Sequence, residues 1–331
     1  MNPLQTPILL IAFNRPEHIK RVLKAVMACQ PLDLYVFQDG VREGYADDSI
    51  KCVEVRKTVE ELTEGTQTKL HTLYAEQNLG CGAGPVTAIN WFFKQVEQGI
   101  VMEDDCLPHP DFFGYCEELL LRYQHDEKVR FINATLYDDR WKCEASYDFS
   151  HYMVTGAWAG WRRTMQGFDL DLKALDALAL RKKVLNLTDN RAEANWWFSI
   201  VKEIQRDERK KSYWDYQMQI HLFLSDALTI HPKVNLVSNI GFDSEGTHTL
   251  SNNDCRGDRE VMPILPLMHP KSQTVDLKRD AYCWAKSQIQ GLLKDELGFL
   301  YQRMLWSKGL GHNLLMFYKK LKGKGVNTKK L

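Results

Sequence analysis

Residues Ile8-Leu9-Leu10-Ile11-Ala12-Phe13 carry no polar side chain and then stop at Asn14-Arg15-Pro16. An apolar run this short, with no alternation, suits a strand buried on both faces of a parallel sheet. Pro16 falls where a helix begins, because the first turn does not need its missing N–H. Ile19, Val22, Leu23, Val26 and Met27 then recur at helical spacing. The pattern repeats. Leu34 to Phe37 reads as a strand broken by Gln38-Asp39-Gly40, and a polar helix follows over Asp47 to Leu62, with Ile50, Val53 and Leu62 inward. Leu70 to Tyr74 reads as a third strand, Gln77 to Pro85 as a glycine-rich loop, and Val86 to Val96 as a helix. Ile100-Val101-Met102 is the fourth strand and ends in Glu103-Asp104-Asp105. Alternating strands and helices predict an α/β domain with a mainly parallel sheet flanked by helices.

In such sheets ligands bind beyond the carboxyl ends of the strands. Three polar clusters close three predicted strands: Asn14-Arg15, Gln38-Asp39-Gly40 and Glu103-Asp104-Asp105. Right-handed crossovers place all three on one edge. The acidic trio is electrostatically costly, since like charges this close disfavour ionisation. A divalent cation relieves that repulsion, and Mg²⁺ or Mn²⁺ commonly sits between a carboxylate and substrate phosphates. The competing explanation is an acidic turn that caps the next helix.

Beyond Pro110 the spacing predicts a helix to about Gln124, with Phe112, Phe113, Leu119 and Leu120 inward, and then a strand at Val129 to Ile132. Trp141, Tyr147, Tyr152, Trp158, Trp161, Trp196, Trp197 and Trp214 follow, and aromatics of this size mostly pack cores. Val154 to Trp161 is punctuated by glycine and could bring backbone close to a ligand. Ser238 to Thr249 reads as a polar surface loop. The pattern changes near residue 250, which divides a catalytic domain at 1–250 from a helical extension at 251–331. That extension has a Pro-rich connector at Met262 to Pro270 and helical stretches at Tyr282 to Leu293 and Phe299 to Leu321. Tyr318 to Lys330 carries six lysines and no acid. Such a tail is either a solvated terminus or a weak peripheral contact with an anionic membrane.

Lys+Arg and Asp+Glu both number 43. The zero net charge argues against a dedicated nucleic-acid binder. Eight cysteines are scattered with no CxxC pair and no His cluster at zinc spacing. Met1 to Pro7 does not resemble a secretory signal, and no apolar run approaches membrane-spanning length. The expectation is reduced thiols in a cytoplasmic protein.

Taken in order, Pro7 to Arg15, Phe37-Gln38-Asp39-Gly40, Asn78-Leu79-Gly80 and Val101 to Asp105 resemble a GT-A-fold nucleotide-sugar glycosyltransferase. Glu103-Asp104-Asp105 followed by Pro110-Asp111-Phe112-Phe113 is similar to the N-acetylglucosaminyltransferase I type and its bacterial relatives. The resemblance spans roughly residues 7 to 250 by motif order, with long unmatched stretches between. It implies that Arg15 contacts the nucleotide or its phosphates and Asp39 the uracil imide. It implies further that Glu103 approaches the donor sugar, Asp104 the ribose hydroxyls, and Asp105 a Mn²⁺ or Mg²⁺ that bridges the diphosphate. Tyr213-Trp214-Asp215-Tyr216 resembles the element that supplies the base, Asp215, although the family often has a second acid where Tyr216 stands. An Asp that caps the following helix, Tyr216 to Leu224, explains the same residue. Gly246-Thr247-His248 resembles a donor-covering loop, with His248 at the diphosphate or metal; a solvated loop histidine is the alternative.

The function expected is inverting transfer from a UDP-sugar or similar donor to a hydroxyl of a glycan or glycolipid, in bacterial surface polysaccharide or lipo-oligosaccharide synthesis. A nucleotidyltransferase that makes the sugar nucleotide is one rival. Its basic glycine-rich loop near the N-terminus has no counterpart in Phe13-Asn14-Arg15-Pro16. A non-catalytic nucleotide-sugar-binding module is the other, since fold alone does not establish chemistry.

Overall fold

The computed structural model describes residues 3–136, 144–207, 214–241 and 259–289. The first strands are β1 (Ile8–Ala12), β2 (Asp33–Gln38), β3 (Lys69–Tyr74) and β4 (Gln98–Glu103). They alternate with helices α1 (Pro16–Ala28), α2 (Ala46–Thr63) and α3 (Gly80–Gln95). After β4 come β5 (Cys106–Pro108), α4 (Asp111–Arg122), β6 (Val129–Asn133), β7 (Tyr147–Ser150) and β8 (Ala157–Trp161). Helices α5 (Ala177–Thr188), α6 (Arg191–Arg206) and α7 (Trp214–Leu224) precede β9 (Leu228–Pro232) and β10 (Val237–Asn239), and α8 (Leu277–Ile289) closes the described chain.

The main sheet has eight strands in the order β3-β2-β1-β4-β8-β6-β9-β7. β1 to β4 are mutually parallel, and β8 runs antiparallel to both β4 and β6. The order 3-2-1-4 is that of a Rossmann-like mononucleotide-binding half. Alternate residues of β1 feed two cores, as a strand's side chains must. Ile8 and Leu10 pack with α1, α2 and α4 on one face; Leu9 and Ile11 pack with α3 and α7 on the other. The strand and helix assignments through β4, and the inward set Phe112, Phe113, Leu119 and Leu120, are observed as expected. So is the core role of Tyr147, Trp158, Trp161, Trp196, Trp197 and Trp214.

Three sequence readings are corrected and one strand is added. Ile50 and Val53 face solvent; α2 instead buries Asp48, Cys52, Val55 and Val59, because Arg42 and Asn14 bond Asp48 and draw that face inward. The glycine-rich segment is helical from Gly80, five residues before Pro85. Residues 157–161, to which the sequence reading assigns no element, form β8, a buried strand in the middle of the sheet. Gly99 and Gly160 face each other across β4 and β8, and side chains there would collide with Phe92 and with Trp158 and Arg130. The polar stretch after residue 237 begins as β10, paired antiparallel with β5, and is not loop from its start.

Packing divides the chain into a sheet unit, residues 1–170 and 211–275, and a second unit, residues 171–210 and 276–331, called the helical unit from its described residues. In the helical unit Asn190 caps α6 through Ala192 and Glu193 N–H, and Asp176 caps α5 through Leu178 N–H. Trp196 packs edge-on against Trp284 of α8 at 6.1 Å. No helix among the described residues is long and apolar enough to cross a membrane. Trp141, Tyr213, His248, the predicted helix at 299–321 and the lysine-rich tail lie outside the described residues.

Candidate active site at the carboxyl edge of the sheet

Parallel register brings three strand ends together: Ala12 lies beside Gln38, and Ile11 beside Glu103. Arg15, Asp39 and the acidic trio therefore share one edge, as their spacing predicts. Each is held differently.

Asp39 is buried, and its oxygens are engaged from within. Oδ1 accepts Gly40 N–H and Leu79 N–H, both at 2.8 Å. Oδ2 accepts Gly80 N–H at 2.9 Å and the Asn78 amide at 3.2 Å. These four bonds match the four acceptor sites of a carboxylate. Asp39 thus caps α3 from β2, in place of the missing local cap, and this is why a glycine-rich sequence starts a helix at Gly80. A uracil imide at Asp39 has to share one of these sites. Gly40 is required because a Cβ there would overlap the Gln77 backbone.

Arg15 ends β1's exit loop and bonds two carboxylates, Asp104 through Nη2 and Asp105 through Nη1. Burial opposes the Arg15 charge, but Asp104 and Asp105 outweigh it and hold its pKa above the usual range. Asp104 is fully buried and bonds Phe13 N–H at 3.2 Å as well as Arg15. A ribose hydroxyl reaching Asp104 would compete with those partners. Burial raises the pKa of Asp104, and Arg15 works against that rise.

Asp105 has Arg15 on Oδ2 at 2.9 Å and the Cys106 thiol near Oδ1 at 3.5 Å. Its carbonyl accepts Ile240 N–H, which anchors the exit of β10 beside it; His18 of α1 bonds the Ile240 carbonyl. A Cβ at Gly241 would overlap the Asp105 carboxylate, so only glycine allows the chain to pass there. Gly241, Gly156 and Gln38 belong to this site. Gly156 lies in the glycine-punctuated segment Val154 to Trp161 that the sequence marks, whereas the signal of Gly241 is a clash with Asp105 that exists only in three dimensions.

Glu103 sits at the centre. Its N–H is bonded by the Gly156 carbonyl at 2.8 Å, so the lead-in to β8 supports it. Gly156 has φ +104° and packs on Cys106, a conformation suited to glycine. Among the described residues the Glu103 carboxyl has no hydrogen-bond partner. Burial, then the charge of Asp105, push its pKa up to about 8, with Asp104 and Asp215 adding and Arg15 opposing. Burial and the neighbouring acids thus favour the neutral form of this carboxyl, which can donate a hydrogen bond. Asp215 of α7 is among the charges that act on Glu103, and the smallest of those named. Asp215 is in the first turn of α7, where its Oδ1 accepts Tyr216 N–H at 3.0 Å. α7 starts at Trp214, so Asp215 lies inside the first turn and not at a cap position ahead of Tyr216.

The cluster thus has three carboxyls and one bound guanidinium. Among the described residues no group of three or more His, Cys, Asp or Glu side chains is placed to hold a metal. The donor set does fit an open site, in which one or two carboxylates hold a hard cation and substrate phosphates complete its coordination. Asp105 is the member of the set with a carboxylate oxygen that faces only a thiol, a weak donor.

No family model matches the chain. No curated protein matches it. Solved structures resemble it remotely. HddC from Yersinia pseudotuberculosis aligns with TM-score 0.32 and 12% identity, over 49% of this chain and 79% of that one. A UDP-glucose pyrophosphorylase complexed with UDP-glucose gives 0.35 and 9%, over 68% and 89%. Mouse xyloside xylosyltransferase 1 gives 0.31 and 9%, over 66% and 81%. Likenesses this distant say nothing about activity, and the functional reading rests on the chain's own residues.

Proposed function

We propose that the chain is a metal-assisted glycosyltransferase that moves a sugar from a nucleotide diphosphate donor, of the UDP-sugar kind, to a hydroxyl of a glycan or glycolipid. The observation that carries this reading is the meeting of the ends of β1 and β4 on one crowded acidic cluster bound by Arg15. A nucleotide sugar matches it, with an anionic diphosphate for Arg15 and hydroxyls for the neutral Glu103 carboxyl. Arg15 suits the diphosphate because a guanidinium binds two phosphate oxygens at once. It would exchange Asp105 for the ligand. A Mn²⁺ or Mg²⁺ held by Asp105 and the diphosphate would supply neutralisation of the charge that grows on the leaving group.

In the inverting direction the acceptor oxygen bonds to the anomeric carbon as the bond to the diphosphate oxygen breaks. Asp215 takes the acceptor hydroxyl's proton, and the nucleoside diphosphate leaves with the bonding pair. The transition state is oxocarbenium-like. Asp104 holds Arg15 and the Phe13 backbone, and Asp39 shapes the base side of the cleft by starting α3. His248 and the lysine-rich tail enter this proposal by sequence alone, as a donor contact and as a peripheral membrane contact. Assembly of surface polysaccharide or lipo-oligosaccharide on the cytoplasmic face is the setting proposed.

Purified full-length protein offered a panel of nucleotide sugars with Mn²⁺ should release nucleoside diphosphate and lose that activity with chelator. Pyrophosphate release from a nucleoside triphosphate and a sugar phosphate, without sugar transfer, would assign the chain to nucleotidyltransferases instead. Tight binding without turnover of any donor and acceptor would leave a binding module.

A further inference from the structure

We infer that Gln38, oriented by Arg56, is a positioning residue that fixes the loop carrying Arg15. Gln38 is the last residue of β2 and is fully buried. Its Oε1 accepts Arg56 Nε at 2.6 Å. A guanidinium can only donate, so this bond decides which way the Gln38 amide faces. Nε2 is thereby turned toward the Phe13 carbonyl at 2.8 Å and the Cys52 carbonyl at 3.0 Å. The Arg56 guanidinium lies 4.5 Å over the Tyr74 ring, which steadies it.

Phe13 is therefore gripped from both neighbouring strands. Its carbonyl is held by Gln38 of β2, and its N–H by Asp104 at the end of β4. Arg15 follows two residues later and bridges Asp104 and Asp105. With both sides of Phe13 fixed, the exit of β1 has one course, and Arg15 leaves it aimed at the acids. Gln38 itself is sealed from solvent and has no part in binding or proton transfer.

Gln38→Glu tests this without changing shape. The new carboxyl keeps the Arg56 bond, but when ionised it sets a negative oxygen against two carbonyls. When protonated, it can donate to Phe13 again. The charged and titratable groups around this position are Arg56, Arg42, Asp39, Asp48 and the Cys52 thiol, and burial pushes that thiol upward, away from the range tested.

The measurement is hydrogen–deuterium exchange of peptides covering residues 12–15 in the full chain, corrected for intrinsic rate. At pH 8 the variant should exchange about tenfold faster there than wild type, the loss expected from one buried hydrogen bond. At pH 5.5 it should return toward wild type. Arg56→Met, which frees the amide to turn over, should show a smaller increase that does not depend on pH. Unchanged exchange at pH 8, or the same increase at both pH values for Gln38→Glu, overturns the inference.

The activity arm rests on the proposed transferase reading. Turnover of the Gln38→Glu variant relative to wild type should fall about tenfold at pH 8 and recover at pH 5.5. Faster exchange with unaltered turnover would overturn the positioning role. A wild-type protein inert toward every nucleotide sugar would overturn the transferase reading, and the exchange result would still decide whether Gln38 sets the loop.

Discussion

The ends of β2 and β4 lie two strands apart on one edge, and each carries carboxylates there, yet they use them in opposite ways. At β2, Asp39 has four hydrogen bonds for four acceptor sites and holds up the first turn of α3. At β4, three acids are consecutive, only Asp104 and Asp105 bond Arg15, and Glu103 is pushed up to about 8 by burial and by its neighbours. A satisfied carboxylate is part of the scaffold. A crowded one stores unfavourable charge that a cationic or hydrogen-bonding ligand can relieve, and strongly shifted groups cluster at functional sites. The contrast predicts that damage at β2 appears as lost stability and damage at β4 as lost chemistry.

The largest effect is expected at Asp215. Asp215→Asn should lower the transfer rate by about 10²–10⁴-fold, the usual contribution of a general base, with melting temperature nearly unchanged. Wild-type-like rates would remove it as the base. Asp39→Ala comes next, and its effect is on the fold. Loss of a helix cap with orphaned N–H groups should cost about 2–4 kcal/mol in denaturant unfolding. A change below about 0.5 kcal/mol, the level of an ordinary surface substitution, would break the scaffold reading.

Glu103→Gln sharpens the comparison through pH. The folded protein favours the neutral acid, with a pKa of about 8 against an ordinary 4.5. Its penalty on folding is therefore absent below the ordinary value, grows as pH rises between the two, and is complete above the folded value. In metal-free protein the substitution should stabilise by about 1–2 kcal/mol at pH 9 and not at pH 4.5, a figure reduced for the residue's partial exposure. Equal melting shifts at both pH values would show that Glu103 is not strained in the fold. The smallest effect is expected at the exposed Lys57–Glu61 pair, 3.5 Å apart on α2. Lys57→Ala should change stability by less than about 0.5 kcal/mol.

Strands β1, β2 and β4 were legible in the sequence because an uninterrupted apolar run has few other uses. The shared edge followed from them by handedness alone. The start of α3 was not legible, since its cap lies 40 positions back in the chain, in Asp39, and glycines read locally as loop. β8 was missed for a related reason: its glycine, Gly160, answers to the Arg130 backbone, which only the folded sheet brings near. On α2 the apolar residues Ile50 and Val53 misled, because a buried polar residue, Asp48, outranked them once Arg42 and Asn14 bonded it. The site residues could be proposed by position. Their division into scaffold and chemistry needed the hydrogen bonds.

The central claim is that the β4 cluster receives a nucleoside diphosphate together with a divalent cation. Calorimetric titration of UDP with Mn²⁺ into wild type and Asp105→Ala tests it most directly. Wild type should bind, and the variant should bind at least about tenfold more weakly, a loss of about 1.4 kcal/mol. Equal affinity in the two proteins, or no binding by wild type, would contradict the account.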